Sequence, residues 1–209
     1  MSGLNVARDG FNYSVPLVLA ALVAGWLLGG WFAVPLLALA LFVMYFFRDP
    51  ERLVPDEPGI IAVAPADGRV VEIRDVEHDG RPFRRVSIFL SLFDVHINRS
   101  PIAGTIRDVQ YRPGRFLVAS RPEASSENES NTVAVEGPAG TVVFKQIAGI
   151  LARRIVFWKK TGDSVGRGER VGLIKFGSRV DVLLGPEWEL MVARGRHVRG
   201  GSTILARRN

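Results

Sequence analysis

The stretch IKFGSRVDVLL (Ile174–Leu184) has the apolar, β-branched character of a buried strand, yet Gly177-Ser178 stands at its centre. Glycine weakens a strand interior and marks a bulge or a close approach of another backbone. Before a serine hydroxyl it admits two readings: a tight bend in a small barrel, or a Gly177–Ser178 peptide bond that is itself the substrate of a reaction. Three histidines are available. His78, in EHDGRP, belongs to an Asp-Gly hairpin turn, and His197 lies in a polar stretch; both are expected at the surface. His96 follows apolar SIFLSLF and stands two residues after Asp94. It is expected to be half-buried, either as a satisfied structural histidine or as a general base with a nearby acid.

Asp67, in APADGRV, is by turn statistics an Asp-Gly turn residue. QIAGILARRIV (Gln146–Val156) has the pattern of core with Arg153 and Arg154 projecting from it, either into solvent or towards a phosphate or carboxylate. The chain has no cysteine, which excludes disulfides, thiolate catalysis and Cys-ligated metals. Scattered histidines without short paired spacing predict no metal site.

These residues need a scaffold, and the chain divides by composition. From Gly10 to Phe47 there is no charged residue. A spanning helix needs roughly 20 apolar residues, so this tract is long for one pass and short for two. Gly25, Gly29, Gly30 and Pro35 lie where a break belongs. Residues 1–47 are therefore expected to form a membrane-associating helical hairpin, with Trp26, Trp31, Tyr45 and Phe46 as interfacial aromatics. Arg8, Arg48 and Arg52 place both ends on the cytoplasmic side. A single tilted span and a signal peptide are the alternatives. Residues 48–59 are a charged, proline-rich linker. From Ile60 to residue 209, short β-branched runs alternate with turn signals, which argues a β-sandwich or partly closed barrel. The loop ASRPEASSENESN (Ala119–Asn131) is long and polar, as functional loops are. TGDSVGRGERVGLI and RGRHVRGGSTILA share a G-x-x-V-x-x-G pattern that resembles the hairpin half-motif of barrel-sandwich hybrids. The fold class expected is mainly β: a barrel-sandwich-hybrid-like domain after a hydrophobic hairpin. The chain holds 27 Lys+Arg against 21 Asp+Glu, a net +6. That excess suits anionic partners, and without a helix-turn-helix, zinc finger or aromatic RNA-binding pattern it favours acidic lipid over nucleic acid.

PADGRV, FLSLFDVHINRSPIAG, YRPGRF, SSENE, QIAGILARRIV and GERVGLIKFGSRVDVLL occur in that order. Together, from roughly Phe46 to Leu205, they resemble the phosphatidylserine decarboxylase proenzymes, in their short, membrane-associated form. The resemblance implies that the Gly177–Ser178 bond is cut by the protein itself. Ser178 Oγ attacks the Gly177 carbonyl, the acyl group shifts from nitrogen to oxygen, and β-elimination followed by hydrolysis leaves a pyruvoyl group at position 178. The products are a β chain, 1–177, and an α chain, 178–209, held as a heterodimer that either stays single or dimerises further. The covalent pyruvoyl, derived from Ser178, forms a Schiff base with the serine headgroup of phosphatidylserine and accepts electrons as CO2 leaves, giving phosphatidylethanolamine. Asp67 and His96 match the family's relay to the serine. Long forms carry a further histidine at the position of Phe93, so His96 is left to serve self-cleavage, decarboxylation or both. Arg99, beside it, joins Arg153 and Arg154 as a candidate phosphate or carboxylate ligand. Two other classes remain: a membrane-tethered carrier module using Lys175, and a metallohydrolase using His96 and Asp94.

Overall fold

The computed structural model describes residues 5–57, 60–119, 123–138, 140–150, 154–175 and 177–208. The chain forms two compact units, residues 1–51 and 52–209.

In the first unit, α1 (Arg8–Leu28) and α2 (Ala33–Phe46) flank a single 3-10 turn at Gly30–Phe32. Leucine- and alanine-rich sequence favours the helices. Gly29, at φ 104°, ends α1 in a backbone region open chiefly to glycine. Small residues, Gly10, Ser14 and Ala21, are the buried positions of α1, and such residues let helix backbones approach. A Cβ on Gly10 would lie 2.9 Å from Phe47 Cβ. Ser14 Oγ donates to Met44 Sδ (3.2 Å) and the Ala7 N–H to Phe47 O (2.8 Å), so the chain returns beside its starting point. The remaining faces are apolar and exposed, including Leu19, Leu22, Trp26, Trp31 and Leu41. α1 has a mean hydropathy of 1.7 and is long and apolar enough to cross a membrane.

The second unit is built of antiparallel strands, and the mainly β reading of the sequence holds. In chain order these are β1 (Ile60–Val63), β2 (Gly68–His78), β3 (Arg81–Leu90), β4 (Ile97–Arg99) and β5 (Gly104–Arg112). A helical turn, α3 (Ala124–Glu127), precedes β6 (Ser130–Gly137), β7 (Gly140–Ala148), β8 (Arg154–Phe157) and β9 (Ser164–Val165). The last are β10 (Arg170–Lys175), β11 (Ser178–Leu184), β12 (Trp188–Leu190), β13 (His197–Val198) and β14 (Ile204–Arg208). An eight-stranded sheet runs β13-β2-β3-β11-β7-β6-β5-β9, and two three-stranded sheets run β4-β10-β8 and β1-β14-β12. The β2–β3 hairpin turns at Asp79-Gly80, both at positive φ (49° and 72°), as a type I′ turn requires. Inward residues of these strands, among them Val70, Ile88, Phe144, Val180 and Val182, form the core.

The sequence repeat is structural. Each copy gives a two-residue strand, a glycine turn and a longer strand: β9 and β10 in the first, β13 and β14 in the second. Gly162 and Gly195 have φ of 93° and 91°, and Gly168 and Gly201 have 75° and 77°. The short strands close opposite ends of the large sheet. A Cβ on Gly168 would lie 3.5 Å from Gly201 Cα, so the copies meet at their glycines.

One local expectation changes. The polar loop Ala119–Asn131 contains the α3 turn and the first residues of β6, so it is less irregular than its composition suggests. Residues 52–57, part of the proline-rich stretch 48–59, bond to residues of the β unit. Arg167 Nη2 donates to Pro55 O (2.8 Å), and Arg207 pairs with Glu57.

Candidate active site

Gly177 lies where the chain passes from one sheet to another. β10 is the centre of the three-stranded sheet between β4 and β8, and β11 lies between β3 and β7 in the eight-stranded one. The apparent single strand Ile174–Leu184 is thus two strands, and Gly177, at φ 66°, makes the change of direction. Ser178 opens β11, opposite Leu90 on one side and Ala148 on the other. Strand alternation sends its side chain to the same face as core residues Val180 and Val182. Its Oγ is fully buried and has no hydrogen-bond partner among the described residues. Burying an unpaired hydroxyl costs about 1–3 kcal/mol, and such exceptions call for an explanation in strain or chemistry.

His96 supplies one. It is 2% exposed, more deeply buried than the sequence suggested. Pairing of β4 with β10, through Ile97↔Leu173 and the Ile174 N–H to His96 O, fixes it beside the exit of β10. Its Nδ1 faces Asp94 O at 2.9 Å, and the Gly177 N–H donates to its Nε2 at 3.3 Å. A carbonyl can only accept, so Nδ1 carries the proton and Nε2 presents its lone pair to the Gly177–Ser178 segment. An apolar cavity of about 180 Å³ opens on Gly177, lined by Leu90, Leu92, Val118, Ala119 and Ile150 among others. A buried hydroxyl, the Gly177 carbonyl before it and an imidazole nitrogen that accepts from the Gly177 N–H thus lie on one short stretch of chain.

A family model for phosphatidylserine decarboxylase matches residues 39–206, which include all of these groups. The chain belongs to the phosphatidylserine decarboxylase family. It is 56% identical over 205 residues to the phosphatidylserine decarboxylase proenzyme of Solibacter usitatus (strain Ellin6076), covering 98% of each chain. It is 50% identical over 197 residues to that of Salinibacter ruber (strain DSM 13855 / M31), covering 88% of this chain and 84% of the relative.

The other residues picked from the sequence are placed differently within this phosphatidylserine decarboxylase fold. Asp67, 7% exposed, is held by Arg52 Nη2 on Oδ2 (2.6 Å) and by the Gly200 N–H on Oδ1 (2.7 Å). Burial pushes its carboxyl above the ordinary value, against the pull of Arg52 and of the Gly200 hydrogen bond. Arg99 is 5% exposed and donates through Nη1 to Gly168 O (3.0 Å), at the junction of the two repeats. Arg154 is exposed at the start of β8, and Arg153 lies outside the described residues. Lys175 is 6% exposed within β10, opposite Arg154, which is not the exposed hairpin tip that a carrier domain needs. The Asp94 carboxylate is held by Ser91 and His197. Oδ2 accepts from the Ser91 N–H (2.8 Å) and Oγ (2.7 Å), and Oδ1 lies 2.9 Å from His197 Nε2.

Several participants escaped the sequence reading. His197, expected as a plain surface residue, pairs with Asp94 across 103 positions of chain. Asn128, fully buried, holds both the N–H and the carbonyl of Leu117 (2.9 Å each) and the carbonyl of Ala148 (2.7 Å). Arg179 and Asp181, on the face of β11 opposite Ser178, are 1% and 2% exposed. Arg179 Nε donates to Asp181 Oδ1 (2.6 Å) and its Nη2 to Ser87 Oγ (2.6 Å), while Ser125 Oγ donates to Asp181 Oδ2 (2.7 Å). A charged residue in a strand normally signals a solvent face, so alternation alone gives no sign that this pair is buried. The signal that pointed the other way was opposite charge at i, i+2 on one face of a central strand.

Proposed function

We propose that this chain cuts itself between Gly177 and Ser178 and then decarboxylates phosphatidylserine to phosphatidylethanolamine. The observation that carries the reading is the buried, unpartnered Ser178 Oγ beside a segment that Nε2 of His96 already faces. In the first step Ser178 Oγ bonds to the Gly177 carbonyl carbon while His96 Nε2 releases the Gly177 N–H and takes the hydroxyl proton. Collapse of the tetrahedral species breaks the Gly177–Ser178 C–N bond and returns the proton to the Ser178 nitrogen, which leaves an ester and a free amine. Loss of the Ser178 α-proton expels the Gly177 carboxylate, giving dehydroalanine. Water then replaces nitrogen, releasing ammonia and leaving a pyruvoyl group at the head of chain 178–209. A buried position whose hydroxyl has no hydrogen bond to give up among the described residues, next to a glycine that lines an apolar cavity, fits a group of this size and polarity.

Once formed, the pyruvoyl group supplies the carbonyl to which an amino-acid headgroup attaches and the electron sink for loss of CO2. The chain's own residues hold it. Ser178 is locked between β3 and β7 by backbone pairing, and Arg179 anchors the next residue through Asp181 and Ser87. Chains 1–177 and 178–209 therefore stay together as a heterodimer, because β11 lies in the middle of the eight-stranded sheet. His96 moves a proton in self-cleavage, in decarboxylation or in both. Asp67 supports the site as part of a relay or through Arg52. Arg154 is accessible for a phosphate or carboxylate, and Arg153 belongs to the same proposal by sequence.

A diacyl lipid leaves its bilayer at high cost, so the enzyme works at a membrane. α1 and α2 provide the apolar segment, and each Lys or Arg near an anionic leaflet adds about 1 kcal/mol of attraction. Arg8, Arg48 and Arg52 favour the cytoplasmic side of the cell membrane. The test is release of labelled CO2 from carboxyl-labelled phosphatidylserine in vesicles. Wild-type chain should release it, and Ser178→Ala should release none.

A further inference from the structure

The surroundings of the Gly177 carbonyl are set by a second glycine. A Cβ built on Gly149 would lie 2.4 Å from Gly177 O, 3.3 Å from Gly177 C and 3.2 Å from Ala119 Cβ. The first distance is far inside van der Waals contact, so a side chain at 149 forces something to move. Gly149 lies outside the positive-φ region, so its own backbone admits an L-residue and the obstacle is the carbonyl.

The residue before Gly149 is pinned. The Ala148 N–H donates to Glu129 O (2.9 Å), and Ala148 O accepts from Asn128 Nδ2 (2.7 Å). Asn128 is itself buried and bonded to Leu117. Gly177, by contrast, sits in a change of direction between sheets, with open space where its own Cβ would be. The carbonyl is the softer partner and is the group that would be displaced.

From this we infer that Gly149 is a positioning residue for self-cleavage: its bare Cα lets the Gly177 carbonyl lie where Ser178 Oγ reaches the carbon. The inference rests on self-cleavage at Gly177–Ser178. It also accounts for a glycine in QIAGILARRIV, at the end of a strand where no turn geometry demands one.

The test introduces Gly149→Ala into the full chain, once alone and once with Ser178→Ala. Intact mass against time follows cutting of the single variant, and thermal unfolding compares the two uncut proteins that carry Ser178→Ala. A misplacement of about 1 Å costs on the order of 100-fold in rate, which is the slowing expected for Gly149→Ala. The double variant should unfold within a few degrees of Ser178→Ala. Hydroxylamine captures the ester formed by the acyl shift, and it should leave the Gly149→Ala precursor uncut, because the block precedes that ester. Cutting at the wild-type rate, rescue by hydroxylamine, or collapse of the double variant's stability would each overturn the inference; the last would make Gly149 a packing residue. A wild-type chain that never cuts overturns the proposed function, and this inference with it. A cutting wild type with a fast-cutting Gly149→Ala overturns the inference alone.

Discussion

Nε2 of His96 receives the backbone N–H of Gly177 at 3.3 Å, across 81 positions of chain. The bond joins the β4 side of one sheet to the point where the chain leaves it for another. The tautomer follows from the Asp94 carbonyl, which faces Nδ1 at 2.9 Å and can only accept. The imidazole is therefore oriented by backbone on both sides, and its basic nitrogen is aimed at the residue that precedes the serine.

Loss of that nitrogen should slow cutting. General-base contributions are typically 10²–10⁴-fold, so His96→Ala is expected to lengthen the half-time of processing by about 100-fold or more. Time-resolved intact mass of freshly made protein measures it. Processing at the wild-type rate would remove His96 from the first step.

Asp67 has a structural duty whatever its part in a relay. Removing one partner of a buried ion pair costs about 3–5 kcal/mol, because the other charge is stranded. Arg52 and Asp67 side chains are 13% and 10% exposed, so Asp67→Ala should reach the lower end of that range. Denaturant unfolding in a Ser178→Ala background isolates the effect from processing. Asp67→Asn should slow cutting if the relay operates, and a stability loss without a rate loss would confine Asp67 to the fold.

Asp94 gives a dependence on pH. Burial by itself raises its carboxyl, but hydrogen bonds from Ser91 and the contact with His197 outweigh it and hold the group below its ordinary value. A carboxyl depressed in the folded state contributes stability above its unfolded value and loses it as pH falls through the folded one. The stability gap between Ser178→Ala and Ser178→Ala/Asp94→Asn should be on the order of 2 kcal/mol near pH 6. It should close below about pH 4, where the unfolded carboxyl takes its proton. A gap that stays constant down to pH 2.5 would contradict this account.

The Arg179–Asp181 pair should matter to the cut enzyme as well as to the precursor. Asp181→Ala removes one partner of a guanidinium that is 1% exposed while Glu72 (3.2 Å) and Ser87 (2.6 Å) remain, so it should cost about 2 kcal/mol, the loss of one charge-assisted hydrogen bond. Size-exclusion chromatography of the processed protein should then show chain 178–209 separating more readily from chain 1–177. Equal retention and equal unfolding midpoints would show the pair to be dispensable.

The mainly β class was legible in the short β-branched runs and turn signals themselves, whereas Gly177, Ser178 and His96 gained a chemical reading only from the ordered blocks that resemble the family. The Asp79-Gly80 turn and the two glycine repeats were legible for a local reason: positive φ selects glycine. What stayed hidden depends on which strands become neighbours. Ile174–Leu184 has one continuous apolar pattern, and nothing local says that its halves enter different sheets. Arg99 carries the charge of an anion ligand, and its hydrogen bond to the Gly168 carbonyl is a contact set by the meeting of two distant repeats. Asp67 likewise looks like a turn residue until Arg52 and Gly200 are brought to it.

Self-cleavage is the central claim, and an intact-mass spectrum of purified protein without substrate tests it most directly. The account predicts two chains divided between Gly177 and Ser178, the smaller beginning with pyruvoyl in place of serine. A single chain of full mass that persists on prolonged incubation in vesicles would contradict it.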